Sequence, residues 1–396
     1  MVHRPYTVAL IVPTGVGAAI GGYAGDALPL VRAIAQVADT VITHPNVMNG
    51  AQLYWPLPNV LYVEGYGLDQ FAAGKWGLCP VHRNRVGLLL DAEIEAPLRW
   101  RHLQAADAAR ATLGLDVIGY TVTDTPVGVT LQTAASGATW GTIKNPGTLL
   151  RGAEALLKQG AAAIAIVVRF PDDEDSTTLQ NYRQGQGVDP LAGAEAVISH
   201  LLVRTFQVPC AHAPALNPLP LDPEVSPKSA AEEIGYTFLP CVLAGLSRAP
   251  QFVVPPTMIQ ANDIWKCQVD AVIAPATAFG GSGVLNFCNS RTQVVAVEEN
   301  DTTLSVTPES LGIQAIRTRS YLEAIGVIAA HKAGISAAAI TPKLPALKRL
   351  KTSAEVMESQ TKVILSADTT SSCDNSDYLQ RILNRCNGTQ HSSSLE

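Results

Sequence analysis

The stretch TVALIVPTGVGAAIGGYAGD, Thr7 to Asp26, decides the fold. Val8 to Val12 is an apolar, β-branched run of strand length, and Pro13-Thr14 ends it before a loop carrying Gly15, Gly17, Gly21, Gly22 and Gly25. A buried strand that opens into a glycine loop and then a helix, starting near Asp26 or Ala27, is the first unit of an open α/β sheet. Glycines let the backbone take positive φ and approach a ligand, and the helix start would aim free N–H groups at the loop. Gly15, Gly17, Gly21, Gly22 and Asp26 are therefore candidate contacts to an anionic group. The competing reading is a tight turn without a ligand.

Outward from this stretch, apolar runs alternate with helical spacing. Thr40 to Thr43, Asn59 to Glu64, Arg85 to Asp91, Leu115 to Val122, Ala162 to Arg169, Val208 to His212 and Val294 to Val297 read as strands. Val269 to Pro275 (VDAVIAP) repeats the opening pattern of strand, Pro and glycine loop, here with Gly280, Gly281 and Gly283. The expected fold is α/β, an open and mostly parallel Rossmann-like sheet flanked by helices, with two related α/β halves as an option. Residues 7–125 read as a first half with the glycine loop. Residues 126–340 read as a second half with a proline-rich linker or lid at 215–227, and 341–396 as a peripheral helical or partly disordered tail.

Hydrophobic residues make up 47% of the 396 and charged ones 16%, a balance that favours a heavily buried sheet over a solvated chain. Net charge is −6 with Lys and Arg scattered, so no basic stripe tracks a phosphate backbone and nucleic acid is not an expected partner. No apolar run reaches the roughly 18 residues of a membrane span. The amino terminus runs straight into the first strand, so the chain reads as cytoplasmic with no membrane partner, and a homo-oligomer is left open. Seven cysteines without a CxxC pair suggest reduced, mostly buried thiols.

Several of the expected parallel strands end in a polar residue: Thr14, His44, Glu64, Asp91, Arg169, His212 and Glu298. The carboxyl ends of parallel strands form the ligand crevice of such sheets, so these side chains should converge on one edge. His44-Pro45-Asn46 would then correspond to Glu298-Glu299-Asn300. For any single residue the alternative is that a strand needs some polar exit from the core.

The glycine loop lies close to the dinucleotide fingerprint, but the second strand ends in His44 where an acid should hold the ribose, which weighs against NAD(P). No P-loop pattern is present. His200, Cys210 and His212 lack the paired spacing of a zinc site, so no metal is assigned. His200 on a helix reads as an interior histidine, whereas His212 at a strand end is a candidate acid/base. Ser136 with Lys144 could form a Ser/Lys nucleophile and base, although a polar hairpin explains the same residues.

The phrases VPTGVGAAIGGYAGDA, ITHPNVMNGA, LYVEG, VISHLLV, PCAHAP, APATAFGGSGV, AVEEN, SYLEAIG and AAHKAGI occur together between Thr7 and Ile340. In them the chain resembles an uncharacterised domain-of-unknown-function family of cyanobacteria and plant plastids. The resemblance implies a soluble protein of a photosynthetic lineage, and it implies that the glycine loops, His44, Asn46, His212 and Glu298 recur in the family. It carries no activity.

The leading expectation is an enzyme acting on a small carboxylated or phosphorylated metabolite by acid/base or hydrolytic chemistry. His44, His212 and Glu298 would handle protons. Arg169, Asn46 and the two glycine loops, including Gly280, Gly281 and Gly283, would hold the anion. The cofactor is undetermined. The alternatives are a binding or assembly module without turnover and an NAD(P)-dependent oxidoreductase.

Overall fold

The structure, a computed structural model, describes residues 4–49, 57–172, 177–234, 238–256, 259–288 and 290–349. Asp173, Glu174, Asp175, Cys373, Cys386 and most of the expected tail lie outside the described residues. The strands, in chain order, are β1 (Thr7–Leu10), β2 (Thr40–Thr43), β3 (Val60–Tyr62), β4 (Gly77–Cys79), β5 (Val86–Leu90), β6 (Val117–Val122) and β7 (Val129–Thr133). They continue with β8 (Thr139–Ile143), β9 (Ala163–Arg169), β10 (Cys210–Ala215), β11 (Gln251–Val253), β12 (Val269–Pro275), β13 (Gln293–Val297) and β14 (Ile316–Thr318).

Two parallel sheets carry the fold. The first has six strands in the order β14-β13-β12-β1-β2-β3, and the second has four in the order β10-β9-β5-β6. Every pairing within them is parallel. The first sheet is built from the two ends of the described chain and the second from its middle. The order reverses direction between β1 and β12, which pair Val8 with Ala271 and Leu10 with Ile273. A second reversal falls between β5 and β9. At such points the loops leaving two neighbouring strands diverge and open a crevice at their carboxyl ends. Two antiparallel ribbons, β4 with β11 and β7 with β8, complete the strands.

Burial explains why the expected strands formed. β1, β5 and β12 are buried along their whole length, as strands covered by helices on both faces must be. One apolar layer runs under both sheets, joining Val8, Leu10 and Val41 of the first to Leu88, Ala163 and Ala165 of the second through Leu239, Val242 and Leu246. That last group belongs to the helix Leu239–Ser247, which is apolar all round because it is buried between the sheets. The opposite face of the first sheet is closed by Leu68, Phe71, Val284 and Phe287, and that of the second by Leu149, Leu156, Ile198 and Leu202. A further compact unit begins at Ala338, and its described part contains the end of the short turn Ala337–Ile340. Among the described residues no helix is long and apolar enough to cross a membrane. Among the described residues Cys79, Cys210, Cys241, Cys267 and Cys288 form no disulfide.

The glycine loop is held by its own protein. Asn46 Nδ2 donates to the Gly21 carbonyl at 2.6 Å. From the other side, Asn300 Oδ1 accepts from the Ile20 N–H at 2.9 Å while its Nδ2 donates to the Ile20 carbonyl at 2.8 Å. The two asparagines matched by the HPN and EEN triplets thus brace one loop from β2 and β13. Gly15 accepts from the Thr139 N–H at 3.0 Å, and Val16 from that of Thr303 at 2.8 Å. Gly21 sits at φ +88, and a Cβ there would stand 2.8 Å from Val12 Cγ1. Gly21→Ala should therefore lower stability by about 1–3 kcal/mol, combining left-handed strain with overpacking. Urea denaturation of the variant checks this, and an unchanged midpoint would mean that the loop is loose.

Candidate functional site

The carboxyl ends of the two sheets meet around a cavity of about 110 Å³. The first sheet contributes Thr14, His44 and Glu64, which follow β1, β2 and β3. The second contributes His212 and Pro214 from β10, with Glu195, Ser199 and His200 from the helix Ala192–Phe206. Asp189, Glu232 on the helix Pro227–Ile234 and Phe238 close the remaining sides.

Glu64 is the pivot of the site. It is the N-cap of the helix Gly65–Ala72, where its Oε2 accepts from the N–H groups of Tyr66 at 2.8 Å and Gly67 at 3.2 Å. Its Oε1 lies 3.0 Å from His200 Nε2 and accepts from Ser199 Oγ at 3.3 Å. Ser199 Oγ is also 3.1 Å from His212 Nδ1, and His212 Nε2 is 3.6 Å from Glu195 Oε2. A chain of polar contacts therefore runs Glu195, His212, Ser199, Glu64, His200.

Electrostatics divides protons unequally along this chain. Burial pushes the Glu64 carboxyl up to about 8, against the opposing hydrogen bonds from Gly67, Tyr66 and Ser199. Desolvation, followed by the neighbouring His212, pushes His200 down to about 4. At neutral pH the pair holds one proton, on the acid. His44 is likewise depressed to about 4 by burial, and its Nε2 accepts from the Val12 N–H at 3.1 Å, which leaves the ring proton on Nδ1. Across the cavity, burial raises Glu232 to about 7 and Asp189 well above the usual carboxylate range.

The structure brings together only part of the expected site. His44 and His212 line the cavity with Glu64. Arg169 does not: its guanidinium is engaged by Glu95 at 2.9 Å, by Asp172 and by the Phe170 carbonyl, so it ties down the loop after β9. Glu298 pairs with Arg317 at 2.7 Å on the surface. Gly280, Gly281 and Gly283 lead into the helix Ser282–Cys288, whose amino end is already met by the Asp69 carboxylate through Ser282 Oγ and the Gly283 backbone. Asp26 accepts from the Gly21 N–H at 2.6 Å and pairs with Lys228 at 3.1 Å. Gly15, Gly17, Gly21 and Gly22 face atoms of Thr139, Val188, Val12 and Ala18. The close approach that these glycines permit is thus the chain's own. Asn46 lines the cavity while bracing the loop. Ser136 sits in the turn between β7 and β8, where its Oγ accepts from the Ala138 N–H at 3.4 Å. The buried Cys210 thiol donates to the Val208 carbonyl at 3.4 Å. Among the described residues no group of three or more His, Cys, Asp or Glu is placed to hold a metal ion.

Sequence reasoning passed over Ser199, Glu195, Asp189 and Glu232, kept Glu64 only as a strand exit and read His200 as an interior residue. A signal was present for two of them: Glu195 and Ser199 are four residues apart, hence on one helical face, and that face is turned to the end of β10.

Residues 7–341 match the family described as "Protein of unknown function (DUF3326)", and the chain belongs to that family. An uncharacterized lipoprotein of Synechococcus sp. is 63% identical over 342 residues, covering 86% of this chain and 95% of that protein. The resemblance drawn from the motifs is borne out. The cytoplasmic expectation is corrected: a relative this similar bears the name of a lipoprotein, a class held at membranes by a lipid. No solved structure matches the chain.

Linkage fixes how the site follows pH. Glu64 and Glu232 keep protons in the folded chain that the unfolded chain has released, so their contribution to stability declines as pH rises from about 4.5 towards 8. His44 and His200 act in the opposite sense, but their effect is confined below 6.5, their ordinary value. Between about pH 6.5 and 8, of these four groups only the carboxyls act, and stability should fall. Glu64→Gln should flatten that decline in urea midpoints. A wild-type profile that is level or rising there would contradict the assignment.

Proposed function

We propose that the cavity is an acid/base site acting on a small polar molecule by moving a proton to and from it. The observation that supports this most is the Glu195–His212–Ser199–Glu64–His200 chain, which spans both sheets and ends on an acid and a base whose affinities for a proton are displaced past each other, so that the acid and not the imidazole holds the proton. A carboxyl that still holds its proton near neutrality can donate one, and a neutral imidazole beside it can accept one. His212, linked to Glu64 through the Ser199 hydroxyl, would restore the starting proton arrangement. Ser199 relays rather than attacks: its Oγ is buried in mid-helix and bonded to Glu64 and to the Ala196 carbonyl at 3.4 Å. This favours lyase- or isomerase-type proton abstraction over hydrolysis.

The lining also speaks on charge. Among the described lining residues there are four carboxyl and three imidazole side chains and no Lys or Arg, so an anion would find no fixed countercharge. A neutral or positively charged polar molecule suits the site better than the carboxylated or phosphorylated metabolite first expected. The lipoprotein relative supports a membrane-attached setting for this chemistry.

A metabolite library screened by thermal shift, with hits incubated in D₂O, tests the reading. We expect a polar ligand that binds wild type about tenfold more tightly than Glu64→Gln, the effect of losing one buried hydrogen-bond partner at ~1.4 kcal/mol. Wild type, but not Glu64→Gln or His200→Gln, should place deuterium on its carbon. Hits that bind and gain no deuterium would overturn proton transfer.

A further inference from the structure

Beside the polar cavity lies a second one of about 80 Å³. The two share Asp189, Leu191, Leu216, Glu232 and Phe238, so they adjoin at a carboxyl-bearing waist. The outer chamber is mainly apolar, with Leu219 from the proline-rich segment adding to the shared leucines and Phe238. Its one guanidinium, that of Arg183, is spent on Glu233 at 2.8 Å and on the Pro220 carbonyl at 2.7 Å. The proline-rich segment expected as a linker or lid thus supplies a wall of the outer chamber through Leu216 and Leu219, and Glu232 follows on the next helix.

From this arrangement we propose that the molecule acted on carries an alkylammonium group, its nitrogen held at the waist between Asp189 and Glu232, an alkyl chain of about three carbons on it filling the outer chamber and the rest of the molecule reaching Glu64 and His200 in the polar cavity. The proposal rests on the proton-transfer reading and adds a substrate class to it. Size sets the chain: a dry cavity of about 150 Å³ takes the six carbons of benzene, so 80 Å³ takes about three. Charge sets the head. Glu232 Oε2 is held by Tyr182 OH at 2.6 Å and by the Ala24 N–H at 3.1 Å, and Asp189 Oδ1 by the Leu191 N–H at 2.8 Å. These contacts fix the two carboxyls at the waist, and an arriving cation is the partner that compensates their burial. Because burial holds protons on these carboxyls, binding of an ammonium displaces one, and complex formation releases a proton to the buffer.

Calorimetric titration of the full chain with 1-alkylamines from methyl to hexyl, beside the matching 1-alkanols and carboxylates, tests this. Affinity for the amines should rise about fourfold per methylene to propyl or butyl and then stop rising. The heat should depend on the buffer's ionisation enthalpy in the direction of proton release, and the carboxylates should give no saturable heat. Leu219→Trp should fill the chamber and flatten the series. A flat wild-type series, or carboxylates that match the amines, would overturn the proposal. Alkanols that match the amines while shifting the His200 and His212 ¹⁵N signals would overturn the ammonium and leave proton transfer standing. If no probe moves those signals, both fall.

Discussion

A carboxyl group almost wholly withdrawn from water must find partners, and Glu64 finds them in two layers at once. Two N–H groups at the start of its own helix satisfy one oxygen, while Ser199 and His200, on a helix covering the other sheet, reach the second. Removing any of these would leave a buried polar group short of a partner, at a cost of about 1–3 kcal/mol. The register between the two sheets at the site therefore depends on this side chain. It is also the reason that the acid keeps its proton, since the burial that makes the contacts obligatory disfavours the charged form.

The same logic accounts for the loops where an anion was expected. Helix starts attract acceptors, and this chain supplies its own: Asp69 meets the helix Ser282–Cys288 through Ser282, as the Glu64 carboxyl caps the helix Gly65–Ala72. The glycine loop is consumed in the same way, with Asn46 and Asn300 fastening its carbonyls and amides from opposite sides of the first sheet. The space where the ends of β1 to β3 face the end of β10 has a lining that is acidic and imidazole-bearing.

Most of the architecture was legible in the sequence because parallel strands buried on both faces are unbroken apolar runs, and AIAIVVR and VDAVIAP could form little else. The helix Gly65–Ala72 was missed because it opens on a glycine, and Glu64 makes that glycine a start by capping. The sorting of strands into two sheets was not legible, since local pattern says nothing about which run pairs with which. The site was half legible for the same reason. That polar residues gather at carboxyl ends pointed to His44 and His212, but the rule cannot tell an end that faces a cavity from one that meets its own countercharge. Arg169 and Glu298 are of the second kind, Arg169 spent on Glu95 and Asp172 and Glu298 on Arg317. Asp189 and Glu232 were invisible because neither lies at a strand end, and they enter the site only through the fold.

Everything proposed for this cavity follows from which atom carries the shared proton. A ¹³C titration of the Glu64 side-chain carboxyl, assigned by its absence in Glu64→Gln and recorded with the ¹⁵N signals of His200, reads that directly. The account predicts that Glu64 ionises near pH 8 and that His200 stays neutral until about pH 4. A carboxyl ionising near its ordinary 4.5, with His200 already charged at pH 6, would contradict it.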